Sequence, residues 1–320
     1  MTQVDPIIAF FLLGALAGLL RADLRLPQAI YEFLSTLLLL SIGLKGGVEL
    51  ARQPVGGLVA ELAMVIALGV LLALTAFWVL RNLGRLERPD AASIAAHYGS
   101  VSVGTFAVAV AFLLHAAVPY EPKLALFLVV LEVPALLVGI LLARGRQSAS
   151  AWGPVLREVL LGRSVLLLLG GLAIGWFAGA EGITGLAPLF VDLFKGILAL
   201  FLLEMGLIAS EHFGGLRRHG LFLAGFAITV PVVFALFGAV TGVAMGLSPG
   251  GTTLLATLAG SASYIAAPAA MRTAVPEANP ALSLTASLAI TFPFNIVAGI
   301  PLYHAFSLWL HAWWHGSVTG

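Results

Sequence analysis

The chain is a succession of long apolar segments, and this feature limits its fold more than any other. A helix needs about 20 apolar residues to cross the hydrocarbon core of a bilayer. Only 10% of the 320 residues are charged, whereas a soluble domain carries roughly 25% charged residues. We therefore predict an all-α polytopic membrane protein with ten transmembrane helices, whose apolar surface is covered by membrane lipid. The predicted spans are 6–20, 27–44, 56–80, 91–115, 123–143, 164–180, 188–209, 219–244, 251–273 and 282–308.

The composition argues against several other classes of protein. The formal net charge is +1 and no basic stripe is present, so we expect no nucleic-acid partner. The chain has no cysteine, which excludes disulfides and thiolate metal sites. The serine motifs lack the Gly-x-Ser-x-Gly spacing of a hydrolase nucleophile. We therefore expect no catalytic residues and no enzymatic activity.

The cations in the predicted loops indicate an orientation in the membrane. Lys and Arg accumulate in the cytoplasmic loops of membrane proteins, and here they concentrate in alternate loops. We predict that these loops face the cytoplasm and that both termini lie on the outer side of the cell (inner) membrane. The predicted cytoplasmic cations are Arg21, Arg25, Arg81, Arg85, Arg88, Arg144, Arg146, Arg157, Arg163, Arg217, Arg218 and Arg272. The opposite side carries Lys45, Arg52 and Lys123.

The two halves of the chain resemble each other when one is slid along the other. Five spans per half is an odd number, so the second copy must enter the membrane upside down, as in many secondary transporters. We predict two inverted five-helix repeats, 1–145 and 164–320, joined by a cytoplasmic linker at 146–163. The pairs at an offset of 161 residues are Pro27 with Pro188, Phe33 with Phe194, Gly99-Ser100 with Gly260-Ser261, Ser102 with Ser263, and Pro119 with Pro280; Gly43-Leu44 pairs with Gly206-Leu207 after a two-residue insertion.

Spans four and nine each place two serines beside glycine in the middle of an apolar segment. In one interpretation, small residues let helices approach closely and the hydroxyls bond back to their own backbone. In the other, each span is interrupted near the midplane and presents backbone N–H groups and a positive dipole end to an anion. The corresponding positions in the two repeats favour the second interpretation. The candidate substrate-binding residues are Gly99, Ser100, Ser102, Gly104, Thr105, Gly260, Ser261, Ser263 and Tyr264.

The polar side chains of these segments also suit a cation. Hydroxyls and freed carbonyls are oxygen ligands of the kind that Na⁺ prefers, so Ser102 and Ser263 are candidate Na⁺ ligands. Tyr264 either shrinks the pocket or donates a hydrogen bond to the anion. His97, beside Tyr98, is a packed polar residue or a ligand, and the sequence does not separate these two roles.

Two carboxylates fall inside predicted spans, where ionisable residues are functional candidates. Glu132 precedes Pro134 in span five, and Glu204 lies near Gly206 in span seven. Each carboxylate binds a coupling ion, binds a proton, or satisfies backbone groups at a helix break.

In these segments the sequence resembles the sodium-dependent bicarbonate transporter superfamily. The resemblance rests on stretches that cover most of the chain. They are Ile42-Gly-Leu44 with Gly46-Gly47, Tyr98-Gly-Ser-Val-Ser-Val-Gly-Thr105, Val133-Pro-Ala-Leu136, Gly260-Ser-Ala-Ser263 through Pro268, Arg272, Val275-Pro276, Ala278-Asn-Pro280 and Gly299-Ile-Pro-Leu302.

The resemblance implies ten helices in two inverted sets of five, a homotrimer, and elevator-like movement of a core against a scaffold. It also implies that the serine-rich breaks form the anion and sodium sites. Cyanobacterial members carry an aspartate where this chain has Tyr264, and a serine and a glycine where it has Ala266 and Ala267. Their central cytoplasmic loop is longer than the loop of about 20 residues from Arg144 to Arg163 here. These members bind a PII-like regulatory protein on the cytoplasmic face, so the resemblance implies that such a partner is possible.

These observations predict a symporter of bicarbonate or a similar small anion, with no cofactor other than Na⁺ as the coupling ion. Two alternatives remain at this stage. One is a transporter of another small anion coupled to H⁺, and the other is a passive anion channel.

Overall fold

The computed structural model describes residues 6–22, 24–52, 57–144 and 152–318. Arg146 and the first residues of the predicted linker lie outside these ranges, and the side chains of Arg217 and Arg218 are also outside the description. Within them every regular element is helical and no strand occurs, which confirms the all-α prediction.

The helices alternate with short connections along the whole described chain. The ordered elements are α1 (Pro6–Leu19), α2 (Gln28–Leu50), α3 (Leu58–Asn82), α4 (Arg88–Gly99), α5 (Val103–His115), α6 (Leu124–Arg144), α7 (Trp152–Leu160), α8 (Arg163–Gly182), a 3₁₀ turn (Thr184–Leu186), a π turn (Pro188–Asp192), α9 (Phe194–Ala244), α10 (Pro249–Ala259), α11 (Ala266–Ala274), α12 (Pro280–Leu284), α13 (Phe292–Phe294) and α14 (Ile300–Val318), with π turns at Thr285–Thr291 and Asn295–Gly299 between the last three.

Seven helical segments of the described chain are long and apolar enough to cross a membrane. The predicted spans 6–20, 188–209 and 251–273 are not among them. The first forms a helix of 14 residues, and the last is divided between α10 and α11. The structure therefore supports a multi-pass membrane protein, and the arrangement of ten spans as two inverted repeats stays a prediction.

The long helix α9 contains a sharp change of direction at one glycine. Gly220 has φ 81° and ψ 163° inside α9, a backbone conformation that only glycine adopts readily. The residues on either side of Gly220 therefore act as two helices, and this agrees with the predicted end of one span at 209 and start of the next at 219.

Glycine contacts hold two pairs of helices unusually close. A Cβ on Gly175 of α8 would lie 2.2 Å from the carbonyl oxygen of Leu44 in α2, and one on Gly14 of α1 would lie 1.9 Å from that of Leu203 in α9. Small residues at such contacts let backbones approach in membrane helix pairs.

The centre of the molecule is formed by four short helices rather than by long ones. Helix α4 packs against α3 and α6, α10 packs against α9 and α14, and the two groups meet where α10 contacts α5. The polar residues of the interruptions, Ser100, Ser102, Ser261 and Ser263, are all buried here. Buried polar backbone at this depth needs internal hydrogen bonds, and these define the candidate site.

One helix was absent from the sequence prediction. Helix α7 lies within the predicted linker 146–163, and its Val159 is buried in a cluster with Met271 of α11 and Ile140 of α6. The linker therefore packs against the same face of the molecule as the connection between α11 and α12.

Candidate functional site

The first interruption separates α4 from α5 at residues 100–102. Ser100 and Ser102 both have extended backbone angles, and α5 begins at Val103. The Ser102 Oγ accepts hydrogen bonds from the Thr105 backbone N–H at 3.0 Å and from the Thr105 hydroxyl at 2.9 Å. A serine in this role satisfies one of the free N–H groups at a helix start. Ser102 is thus the N-cap of a second half-helix.

The second interruption lies between α10 and α11, at residues 260–265. The Ser263 Oγ accepts a hydrogen bond from the Ala267 N–H at 3.1 Å in the first turn of α11. Ser261 behaves differently, because its hydroxyl donates to the Leu258 carbonyl of the preceding helix at 2.8 Å. The two serines of this segment therefore differ: the Ser263 hydroxyl accepts from the first turn of the new half-helix, and the Ser261 hydroxyl bonds back to its own backbone.

The two interruptions are in direct contact with each other. The Ser102 N–H donates to the Ser261 Oγ at 3.0 Å, and the Ser263 N–H donates to the His97 carbonyl at 2.8 Å. Each break thus donates one hydrogen bond to the other half of the chain. Ser102 donates to the second break itself, and Ser263 donates to α4, the helix that leads into the first break. We call this contact between the two breaks the crossing. Because its residues are about 160 positions apart, it is a tertiary feature that brings both candidate segments into one place.

A polar pair on the last helical segment completes the second break. The Asn295 side-chain amide donates to the Gly260 carbonyl at 2.8 Å, and the Tyr303 hydroxyl donates to the Asn295 Oδ1 at 2.6 Å. A carbonyl released by a helix break at this depth needs such a partner. Asn295 and Tyr303 were not among the predicted site residues, although an asparagine inside an apolar span was a visible signal in the sequence.

A small cavity lies where the breaks meet. Its volume is about 10 Å³, which is enough for the centre of one water molecule. We call it the central cavity. It is lined by Val101, Ser102, Val103, Glu132, Ser164, Ser263, Tyr264, Ile265 and Ala266.

Glu132 supplies the carboxyl group of the central cavity. Its side chain comes from α6 and is only 1% exposed. Oε1 accepts a hydrogen bond from the Ser164 hydroxyl at 2.8 Å, and Oε2 has no hydrogen-bond partner among the described residues. The structure therefore places one candidate coupling residue in the wall of the cavity that Ser102 and Ser263 also line. Ser164, in the first turn of α8, is a third residue that was not predicted from the sequence.

Tyr264 fills the remaining side of the central cavity. Its ring packs edge-on against Phe292, with ring centres 5.0 Å apart, and its hydroxyl has no hydrogen-bond partner within the described chain. A Cβ on Gly104 would lie 2.2 Å from this hydroxyl. Gly104 therefore provides the space that Tyr264 occupies.

The other predicted site residues lie around the cavity rather than on its wall. A Cβ on Gly99 would meet Ala73 at 2.7 Å, and one on Gly260 would meet the Pro231 carbonyl at 2.8 Å, so both glycines allow close helix packing. Ser100, Ser261 and Thr105 are buried next to the crossing.

Glu204, the second candidate coupling residue, is placed elsewhere. Its Oε2 accepts a hydrogen bond from the Leu26 N–H at 3.0 Å, at the connection between α1 and α2. This contact matches the structural role that the sequence analysis left open for it, the satisfaction of a free backbone group.

A larger cavity lies beside α5, separate from the central cavity. It measures about 380 Å³ and lies between α2, α5, α6 and the start of α9; we call it the vestibule. Its charged wall residues are Lys45, Glu49, Asp192 and Lys195. Asp192 and Lys195 are three residues apart, but no ion pair joins them in this part of the structure. Both lysines are exposed.

Two uncharged polar groups complete the vestibule. Ser41 is 2% exposed and its hydroxyl has no partner among the described residues. Burial, together with the charge of Glu49, raises the pKa of Tyr120 to about 12, so its phenol is a neutral donor at physiological pH. Apolar walls with a few charged and neutral donors are typical of a small-molecule cavity.

The fold and the site together define a helical multi-pass membrane protein with a polar centre built from interrupted helices. Residues 6–307 match the sequence profile of the Na⁺-dependent bicarbonate transporter superfamily. The chain belongs to this superfamily, and this membership confirms the resemblance found in the sequence. The superfamily is a class of transporters rather than of enzymes. The chain has no significant match among curated proteins.

Proposed function

We propose that the protein is a secondary active symporter of bicarbonate or a similar small anion, with Na⁺ as the coupled ion. The observation that carries the proposal is the central cavity, where the caps of two interrupted helices meet a buried carboxylate. Family membership supports the substrate class, and the geometry of the cavity supports the choice of residues.

The central cavity suits the cation. The polar side-chain atoms of the cavity wall are all oxygens, and they include those of Ser102, Ser263 and Glu132. Hard cations prefer oxygen ligands. The free Glu132 Oε2 would gain a partner when the ion binds, and its negative charge would be balanced in a medium of low dielectric constant. We therefore assign Na⁺ to this position, with Ser102, Ser263 and Glu132 as ligands.

The anion needs more room than the central cavity offers, because bicarbonate has four heavy atoms and the cavity holds one water-sized centre. Helices α5 and α11 both begin beside this cavity, and their N-terminal dipole ends favour negative charge. We propose that the anion arrives through the vestibule and binds at these helix starts after a rearrangement widens the space.

The pattern of helix contacts supports an alternating-access mechanism with two related halves. Gly14 and Gly175 are 161 residues apart, and each allows a close helix contact, between α1 and α9 for Gly14 and between α8 and α2 for Gly175. Exchange of conformations between two such halves would expose the site to each side in turn. The elevator movement, the homotrimer and a PII-like partner are implied by the family resemblance and are proposals here.

A proton is the second candidate for the coupled ion. The observation in its favour is the same Glu132 Oε2, since a buried carboxyl oxygen without a partner is also a site that binds a proton. A cation gradient distinguishes the two, because Na⁺ and H⁺ gradients are imposed independently across a vesicle membrane.

The first test is uptake of labelled bicarbonate into liposomes that contain the purified protein, with and without an inward Na⁺ gradient. We expect saturable uptake that requires Na⁺, and a loss of about tenfold or more in S102A and S263A. S210A is the matched control, because the Ser210 hydroxyl also bonds to its own helix, at the Leu207 carbonyl, away from the cavity.

Normal uptake in both serine variants would remove the breaks from the mechanism. Uptake driven by an H⁺ gradient alone would select the second candidate, and flux that does not saturate would indicate a channel. No bicarbonate movement under any gradient would direct the search to other small anions.

A further inference from the structure

A third cavity lies on the side of the crossing opposite the vestibule. It measures about 130 Å³ and is bounded by α4, α11 and the connection to α12; we call it the distal pocket. Asp90 Oδ1 accepts a hydrogen bond from the Asn279 N–H at 2.7 Å, and Arg144 donates to the Ala274 carbonyl. These contacts bring the predicted cytoplasmic ends of four helical segments around the pocket.

The distal pocket contains one permanent charge, and that charge is positive. Arg272 lines it from α11, is exposed, and makes no ion pair or side-chain hydrogen bond within the described part of the chain. Acidic residues are absent from the described lining, which is otherwise apolar apart from Ser93, His97 and Ser283. A free guanidinium in such a setting presents several N–H donors in a planar fork that matches an oxyanion.

His97 adds a group of the opposite hydrogen-bonding character. The side chain is fully buried, and its Nδ1 lies 2.8 Å from the Ser93 carbonyl oxygen. Because a carbonyl only accepts, Nδ1 carries the hydrogen, and the Nε2 of a neutral imidazole is then an acceptor. Nε2 has no partner among the described residues, and a buried acceptor without a donor costs free energy.

We propose that the distal pocket binds a small monovalent oxyanion that carries its own proton, a class to which bicarbonate belongs. Arg272 takes the charged oxygens, and His97 Nε2 accepts the hydrogen bond from the ligand O–H. Nitrate and formate have the same charge but no O–H group, so they leave Nε2 unpaired. A site built around a hydrogen bond rejects ligands that lack the matching group more strongly than a purely apolar site does.

The position of the pocket connects it to transport. The carbonyl of His97 accepts the hydrogen bond from the Ser263 N–H. The residue that accepts the hydrogen bond from the anion O–H is therefore also part of the crossing. This inference rests on the proposed function for the passage of the anion: the distal pocket is the loading or release site at the end of the path away from the vestibule.

Binding to the purified full-length protein in detergent tests the inference without any gradient. Calorimetry at a pH where bicarbonate predominates compares bicarbonate with formate as probes. We expect formate to bind at least about tenfold more weakly. R272Q is expected to weaken bicarbonate binding by about tenfold or more, whereas R272K retains part of the affinity.

R85Q is the matched control, because Arg85 is exposed on the same predicted face and lies outside the pocket. It removes the same charge and should leave the affinity unchanged. H97F should reduce the preference for bicarbonate over formate, because the acceptor that formate leaves unpaired is gone. A role of His97 in packing alone would lower both affinities and leave their ratio intact.

Equal binding of formate and bicarbonate to the wild-type chain would overturn the inference, as would unchanged bicarbonate binding in R272Q. The comparison of the two anions needs no variant, and R272Q, at an exposed residue, assigns their binding to the distal pocket even where H97F fails to fold. Binding with the expected selectivity but no uptake in liposomes would refute the proposed transport function and leave the distal pocket standing.

Discussion

At the scale of single residues, the carboxyl group of Glu132 lies in the same cavity as Tyr264, the position at which the family resemblance leads one to expect an aspartate. Cyanobacterial members of the superfamily carry an aspartate at the position of Tyr264. Here the Tyr264 hydroxyl and the Glu132 carboxylate line the same cavity. We infer that Glu132 supplies from α6 the negative charge that the second break lacks.

This assignment predicts the behaviour of E132Q. The substitution keeps the shape of the side chain and removes its charge, so Na⁺ would lose its charged ligand. We expect uptake that no longer responds to a Na⁺ gradient and that is lower by about tenfold or more. The measurement is the initial rate of bicarbonate uptake at increasing Na⁺ concentration.

E204Q serves as the control for E132Q. Glu204 is also buried, but it accepts a hydrogen bond from Leu26, and the glutamine carbonyl still accepts one. Its Na⁺ response should match that of the wild type. The assignment of Glu132 would fail if E132Q kept the wild-type Na⁺ response.

At the scale of elements, the serine and glycine pattern of the sequence coincides with both helix breaks. Hydroxyls beside glycine in an apolar segment compete with the helical backbone for hydrogen bonds, and the breaks at 100–102 and 260–265 contain these serines. The π turns of the last segment and helix α7 were not predicted. Their formation depends on packing against α9 and α11, which short sequence windows do not report.

The close helix pairs give a prediction about stability. G175A adds a methyl group 2.2 Å from the Leu44 carbonyl oxygen, so α2 and α8 must move apart. We expect a loss of about 1–3 kcal/mol in the free energy of unfolding, measured as a lower midpoint of thermal unfolding in detergent.

G170A is the matched control in the same helix. A Cβ at Gly170 meets nothing within 4 Å, and alanine is the better helix former. Its unfolding midpoint should be unchanged or slightly higher. Equal destabilisation by both variants would show that the α2–α8 contact is not a tight one in the membrane protein.

At the scale of the whole molecule, the orientation in the membrane follows from the distribution of charge. The alternate loops that carry most of the arginines are predicted to be cytoplasmic. The vestibule then faces outward, and the distal pocket faces the cytoplasm. Inward movement of the anion would therefore run from Lys45 and Lys195 through the breaks to Arg272.

Single cysteines test this orientation directly, because the natural chain contains none. We expect a membrane-impermeant maleimide to label G185C, but not R85C, in intact cells after the outer membrane has been made permeable. R85C should react once the inner membrane is opened. Gly185 and Arg85 are both exposed, so the reverse pattern would invert the topology.

The sequence by itself determined the membrane setting, the helical class, the family and the positions of both breaks. These properties depend on local composition and on hydrogen-bonding competition within a few residues, which a sequence displays directly. Only the tertiary structure decided that Ser102 contacts Ser261. It also decided that Glu132 rather than Glu204 lines a cavity with Ser102 and Ser263, and that His97 and Arg272 line one pocket. Such contacts join residues from 30 to 175 positions apart, and they follow from how the helices pack, which no local pattern encodes.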